Sequence, residues 1–257
     1  METNELKINK AKVNVHFLFL KKGLNELKLH FKVMGFKDRE DFDSLLGKLV
    51  FFGESEIKND KIKEIGIYIN EALNSCFSIL KDEEMNIFLF ETKDQFITNK
   101  MDGSSGFCTN RNCILILLNL KSFTESTLKN TLVHELTHAI NPHYDMGHMS
   151  VGEGIVFDGV AENFREITVD KNKSKMVLNI KEKDISSLFI KIKPILGSKN
   201  RNDYSDVFFG TGKYPLWAGY ALGYYLIKKY ISRHKNLKWK DILRKDPNEI
   251  LKDILLI

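Results

Sequence analysis

Cysteine and proline are both scarce in this chain. Its 257 residues include three cysteines and four prolines. Three cysteines cannot form a disulfide framework in a chain of this length, which favours a reducing compartment and a cytoplasmic location. The separation of Cys108 and Cys113 does not match a zinc ribbon, and Cys76 lies far from both. We therefore predict that all three are small buried apolar residues.

Long apolar runs and long runs of one charge are also missing. No stretch reaches the roughly 20 apolar residues that a membrane-spanning helix requires. The segment Val13–Leu20 is interrupted by Asn14 and His16, so its alternation favours a strand over a signal peptide. The net charge is +5, but the lysines alternate with acidic residues and form no basic arm. We therefore predict neither a membrane nor a nucleic-acid partner.

The apolar residues that are present predict an α+β fold. Hydrophobic residues make up 43% of the chain and charged residues 28%, a balance typical of a packed globular protein. Periodicity predicts a small sheet in the first half and a mostly helical C-terminal half. The predicted strands span 13–20, 85–90 and 113–118, with a turn at 103–106. The predicted helices span 38–49, 61–80, 122–141, 152–167, 215–232, 239–243 and 247–255.

Two of these helices carry sequence signals at their starts. Ser122 lies three residues before Glu125 and predicts a capping box, and Pro142 would end the same helix. Pro215 is expected in the first turn of the helix at 215–232. We place the domain boundary near residue 83, with a mixed region of unassigned role at 1–83 and the main domain at 84–257.

The first chemical signal is the motif H-E-x-x-H, formed by His134, Glu135 and His138. Residues four apart share one face of a helix, so both imidazoles can reach one metal ion. Zinc bound by two histidines lowers the pKa of a coordinated water. Glu135 could take that proton and later pass it to a leaving amine. The alternative is a pair of buried histidines satisfied by hydrogen bonds, although burying them on an apolar helix is costly.

A catalytic zinc needs a third protein ligand. The pattern with a glycine and a third histidine after the motif fails, because those positions hold Asn141 and Tyr144. His143 and His148 follow Pro142 and are predicted to be surface loop residues.

A carboxylate from a following helix is the other possible source of the third ligand. Asp158 and Glu162 lie 20 and 24 residues after His138 and share one helix face. One could bind zinc while the other orients a ligand histidine. The spacing alone does not separate them. Glu153 and Glu166 are predicted to be solvated charges.

The chain resembles the gluzincins, the thermolysin-like zinc peptidases, and more closely a bacterial family of predicted zinc-dependent proteases (the YjaZ-like family). The resemblance rests on H-E-x-x-H, on D-G-V-A-E at 158–162 and on P-L-W-A-G-Y-A-L-G-Y at 215–224. It covers about Leu128–Ile254, and it differs at Asp158, where the family pattern has glutamate. It implies a zincin-like fold, a Zn²⁺ cofactor and an edge strand before the motif helix that pairs with extended substrate. The strand at 113–118 could equally be buried, because it is apolar without alternation.

The glycines and tyrosines of the segment at 215–224 can also be interpreted on physical grounds. Gly219 and Gly223 share a helix face and allow another helix to approach closely. Tyr220 is a candidate donor to the oxyanion of a tetrahedral intermediate. Tyr224 is predicted to be a core tyrosine with a satisfied hydroxyl.

The sequence therefore predicts a zinc metallopeptidase that acts on peptides or proteins with Glu135 as general base. One alternative is a non-catalytic zinc-containing module that binds peptides as a chaperone or adaptor does. The intact Glu135 argues against it, because a structural metal site needs no base. Another alternative is a zinc hydrolase that acts on a different amide bond.

Overall fold

The computed structural model describes residues 2–8, 11–18, 59–76, 79, 84–145 and 147–256. The helix predicted over 38–49 lies outside these residues. The chain divides into two compact units, Met1–Ile140 and Asn141–Ile257. The mixed α+β class predicted from the sequence is confirmed, with strands in the first unit and helices in the second. None of the described helices combines the length and apolar character needed to cross a bilayer.

The first unit contains a five-stranded sheet among its described residues. The strands lie in the order β1-β2-β3-β5-β4, with antiparallel pairs at both ends and parallel pairs in the middle. The strands are β1 (Glu2–Ile8), β2 (Ala11–Leu18), β3 (Glu84–Glu91), β4 (Ser104–Asn110) and β5 (Cys113–Leu118).

The apolar strand β5 lies inside the sheet and not at its edge. All six of its residues are buried, which explains why its sequence shows no alternation. Of the two sequence interpretations of this segment, the buried strand is therefore correct. The described sheet ends instead at β4, which pairs with β5 alone. The predicted turn is confirmed at Gly103, which has φ 76°, whereas Gly106 lies within β4.

The described helices of the first unit are α1 (Asn59–Ser75), α2 (Gln95–Lys100) and α3 (Glu125–Ala139). α3 carries the H-E-x-x-H motif. Its capping box is formed by Thr124 and Thr127, so the prediction of Ser122 as the cap is wrong. Ser122 lies in a preceding turn, where its N–H donates to the carbonyl of Asn119 over 3.1 Å.

The second unit is helical over its described length. Its apolar core includes Val151, Ile155, Phe208 and Leu222. Three of its shorter helices, within 175–209, were not predicted individually. The helices are α4 (Val151–Thr168), α5 (Lys175–Leu178), α6 (Ile185–Ile192), α7 (Arg201–Phe209), α8 (Ala218–Arg233), α9 (Trp239–Ile242) and α10 (Pro247–Leu255), with 3-10 turns at Glu182–Asp184 and Lys193–Ile195.

The start of α8 differs from the prediction. Trp217 adopts a left-handed conformation with φ 64° and precedes the first helical residue, so Pro215 lies before the helix. The Trp217 N–H donates to the carbonyl of Phe208 over 3.2 Å. A left-handed conformation is unusual for a large side chain, so tertiary contacts must hold it in place.

α4 and α8 approach each other closely at two glycines. A methyl group on Gly223 would lie 2.2 Å from the carbonyl oxygen of Ile155, and one on Gly159 would lie 2.4 Å from the carbonyl oxygen of Gly223. Asn163 bridges the helices, because its amide donates to the carbonyls of Gly159 at 2.8 Å and Tyr224 at 2.9 Å. The predicted close approach of another helix at Gly223 is therefore confirmed.

Candidate metal centre

The H-E-x-x-H residues occupy the buried C-terminal half of α3. His134, Glu135 and His138 are 6%, 7% and 4% exposed. The two imidazole rings lie 5.0 Å apart at 80° to each other. The hydroxyl of Thr137 donates to the carbonyl of His134 over 2.8 Å, so the polar residue inside the motif is satisfied within the helix. The predicted placement of both imidazoles on one helix face is confirmed.

Three contacts attach α3 to the β4–β5 hairpin. The hydroxyl of Ser104 donates to that of Thr131 over 2.9 Å. Gly106 lies against Glu135, one helical turn later. The N–H of Asn112, in the hairpin turn, donates to the carbonyl of Ala139 over 3.1 Å. The edge strand therefore runs beside the motif helix, and the turn caps a carbonyl at its C-terminal end.

The acidic residues Asp158 and Glu162 are buried on α4 at 6% and 0% exposure. Glu162 forms an ion pair with Arg165, whose guanidinium lies 3.3 Å from the carboxylate and donates to the carbonyl of Asn172 over 3.0 Å. Buried carboxylates are costly unless they are paired or coordinate a metal. Glu162 therefore has a structural partner, and the burial of both residues distinguishes them from solvated surface acids.

Within the described residues, His134, His138 and Asp158 form a buried group that could hold a metal ion. One ligand atom from each lies within 4.8 Å of the other two. Two imidazole nitrogens and one carboxylate oxygen are a donor set that zinc accepts. The residues present therefore fit a zinc ion. Of the two acids that the sequence left equal, Asp158 belongs to this group and Glu162 does not.

The other histidines near the motif lie on the surface. His143 and His148 are exposed, and the ring of His148 pairs with Asp145 over 2.9 Å. Neither belongs to a group of three or more metal-binding side chains in the described part of the chain. Their predicted role as loop residues is confirmed.

Glu153 and Glu166 are not the simple solvated charges that we predicted. Glu153 accepts the Ser150 N–H over 2.7 Å and so caps α4. Burial acts to raise the pKa of Glu153, but hydrogen bonds from Ser150 and Asn248 outweigh it and hold the pKa below its usual value. Glu166 accepts a hydrogen bond from the hydroxyl of Tyr224 at 2.9 Å.

The two tyrosines of α8 have different environments. Tyr224 is fully buried, and its hydroxyl also accepts from Lys228 over 2.6 Å. Burial, together with the neighbouring Glu166, raises its pKa well above the usual range. The prediction that Tyr224 is a satisfied core residue is confirmed. Tyr220 is half-buried and packs its ring edge-on against Phe208 at 5.5 Å.

The cysteines do not contribute to the centre. Cys76, Cys108 and Cys113 are free and buried, as predicted. Burial raises the pKa of Cys76 to about 12 and that of Cys113 to about 11. A thiol with such a pKa carries little thiolate at neutral pH and is a poor nucleophile or metal ligand.

Sequence comparison places these residues in a known family. The profile of the family described as "Predicted Zn-dependent protease (DUF2268)" matches residues 67–252. The chain belongs to this family. "Uncharacterized protein YjfC" of Bacillus subtilis (strain 168) is 24% identical over 223 residues, which cover 79% of this chain and 72% of that protein. No solved structure gives a significant match. The resemblance to a family of predicted zinc-dependent proteases is confirmed, and the matched range includes α3, α4 and α8.

Proposed function

We propose that this protein is a zinc-dependent peptidase in which His134, His138 and Asp158 hold the metal. The proposal depends chiefly on one observation, the buried group of two imidazoles and one carboxylate with Glu135 adjacent in sequence to a ligand. Membership of a family described as predicted zinc-dependent proteases supports it. A zincin-like fold is part of the same proposal.

The chemistry follows from the residue types. When bound, zinc acts as a Lewis acid that lowers the pKa of a coordinated water and polarises a substrate carbonyl. Glu135 takes a proton from the attacking water and returns it to the leaving amine. Glu162 is the other buried acid on α4, and we assign it the task of orienting a ligand histidine. Tyr220 is the candidate donor to the oxyanion.

The proposed substrate is an extended peptide. β4 lies at one edge of the described sheet and runs beside Glu135 at Gly106. An edge strand offers free backbone groups to which an extended chain can add. A peptide bound in this way would pass next to the general base, which is the arrangement that hydrolysis of its backbone requires.

Replacement of Glu135 by glutamine tests the function. The variant keeps the shape of the side chain but cannot accept the proton, so we expect unchanged folding and zinc content. Hydrolysis of a library of internally quenched peptides should fall by at least about 100-fold, the usual contribution of a general base. Glu125→Gln is the matched control, because Glu125 is exposed in the first turn of the same helix.

Each result assigns the protein to one class. An active parent and an inactive Glu135→Gln variant with full zinc content support the peptidase. A parent that cuts no peptide and binds peptides as well as the variant does would support the non-catalytic module. Equal rates in parent and variant would contradict the mechanism.

A further inference from the structure

The strand β4 lacks a side chain at the point where it passes the proposed general base. We infer that Gly106 is a positioning residue for Glu135, and that its missing side chain provides the space in which the glutamate is held. This inference rests on the proposed function, because it assigns Gly106 a part in the same reaction.

The distances show how little space is available. A methyl group on Gly106 would lie 2.6 Å from Cγ and 3.3 Å from Cδ of Glu135, and 2.9 Å from Cγ2 of Thr131. Ordinary van der Waals contact with a Cβ atom begins at 3.4 Å. Even the smallest side chain at residue 106 would therefore overlap both Glu135 and Thr131.

The need for glycine here is one of space and not of backbone conformation. Among the described glycines, the left-handed φ values belong to Gly103 and Gly210. Gly106 pairs with Ile116 in the regular part of the β4–β5 ladder. Its backbone would accept any residue, so the contacts with Glu135 and Thr131 remain as the restriction.

A side chain at residue 106 cannot be accommodated by a small adjustment. Cγ of Glu135 lies close to the helix backbone and is not the free end of the side chain. Thr131 is β-branched and has restricted rotamers, and its hydroxyl accepts from Ser104. β4 is further held by its pairing with β5. The least constrained response is a rotation of Glu135 about its Cα–Cβ bond, which moves its carboxylate away.

A displaced carboxylate impairs proton transfer more than substrate binding. A misplacement of about 1 Å at a reacting group can cost around 100-fold in rate. Zinc retention depends on His134, His138 and Asp158 and not on Glu135 in our proposal. Gly106→Ala should therefore lower kcat about 100-fold, with KM and zinc content close to those of the parent.

The contact itself can be measured without activity, in a double-mutant cycle on the metal-free protein. Urea unfolding is compared for the parent, Gly106→Ala, Glu135→Ala and the double variant. Gly106→Ala should lower the unfolding midpoint, and the decrease should be smaller when Glu135→Ala has removed Cγ and Cδ. Gly66→Ala is the matched control, because a methyl group there meets no atom within 4 Å.

The outcomes separate this inference from the proposed function. Coupling in the metal-free cycle together with the selective loss of kcat supports the inference. If Gly106→Ala does not fold alone, recovery of folding in the double variant supports the contact, and failure to recover overturns it. An active parent whose Gly106→Ala variant keeps its kcat, or shows no coupling, overturns the inference alone. A parent with no peptidase activity overturns the proposed function and the catalytic role of Gly106 with it.

Discussion

Gly223→Ala should destabilise the second unit although alanine is the better helix former. Gly223 lies within α8, where replacement of glycine by alanine normally stabilises by about 1 kcal/mol. Here the new methyl group would lie 2.2 Å from the carbonyl oxygen of Ile155, and 3.0 and 3.1 Å from N and Cα of Gly159. All three are backbone atoms of α4, so no side-chain rotation can relieve the overlap.

The magnitude follows from three contributions. Overpacking of a close contact costs about 1–3 kcal/mol, and the backbone contacts favour the upper end of that range. Separation of the helices would also stretch the bond from Asn163 to the carbonyl of Tyr224, which contributes about 1 kcal/mol. The gain in helix propensity offsets about 1 kcal/mol. We therefore expect a net loss of about 1–3 kcal/mol in the free energy of unfolding.

The assay is urea unfolding of the metal-free protein followed by circular dichroism. The control is Gly66→Ala on α1, where the methyl group meets nothing within 4 Å and should stabilise by about 0.5–1 kcal/mol. The two substitutions should therefore shift the unfolding midpoint in opposite directions. A Gly223→Ala variant as stable as the parent would refute the argument that the two glycines set the distance between α4 and α8.

Three further predictions concern the proposed centre and its supports. Asp158→Ala should abolish zinc retention while Glu162→Ala weakens it about 10- to 100-fold in a chelator competition; equal affinities in both variants would contradict the assignment. Tyr220→Phe should lower kcat about 100-fold with unchanged zinc affinity, as for the loss of one oxyanion donor; a parent-like kcat would exclude that role. The pKa of Glu153 is lowered in the folded state, so its contribution to stability is present above the unfolded pKa of about 4.3 and is lost as the pH falls through the folded value. Urea midpoints measured against pH should therefore fall less in acid for Glu153→Gln than for the parent; equal acid sensitivity would contradict this.

Local sequence patterns predicted two of the strands and two of the long helices. The strands β3 and β5 were predicted because apolar residues form short continuous runs there. The motif helix α3 and the helix α4 were predicted to within a few residues at each end. In each case the local arrangement of apolar residues, a continuous run or a helical pattern, was enough to predict the element.

Two features that the sequence did not predict depend on contacts made outside the helix concerned. Ser122 and Thr124 are both plausible N-caps of α3. Ser122 lies in a turn with Asn119, and Thr124 is the cap. The left-handed Trp217 at the start of α8 is held in part by its N–H bond to the carbonyl of Phe208. Neither contact follows from local propensity, because the partner of Trp217 lies on another helix and the turn competes with a plausible cap.

The candidate site likewise has features that the sequence predicted and features that it did not. The placement of His134 and His138 on one face follows from helical geometry alone. Asp158 and Glu162 also share a face, so spacing could not separate them, and the group with the histidines includes only Asp158. Gly106 gave no motif signal. The sequence shows only that small residues occupy alternate positions of the strand before the motif helix.

Zinc stoichiometry tests the central claim most directly. Elemental analysis of the purified protein should find close to one zinc per chain. The double variant His134→Ala, His138→Ala should retain none, while a variant of the exposed His148 should match the parent. Equal zinc content in the parent and the double variant, or no zinc in the parent even after incubation with Zn²⁺, would contradict the proposed metal centre.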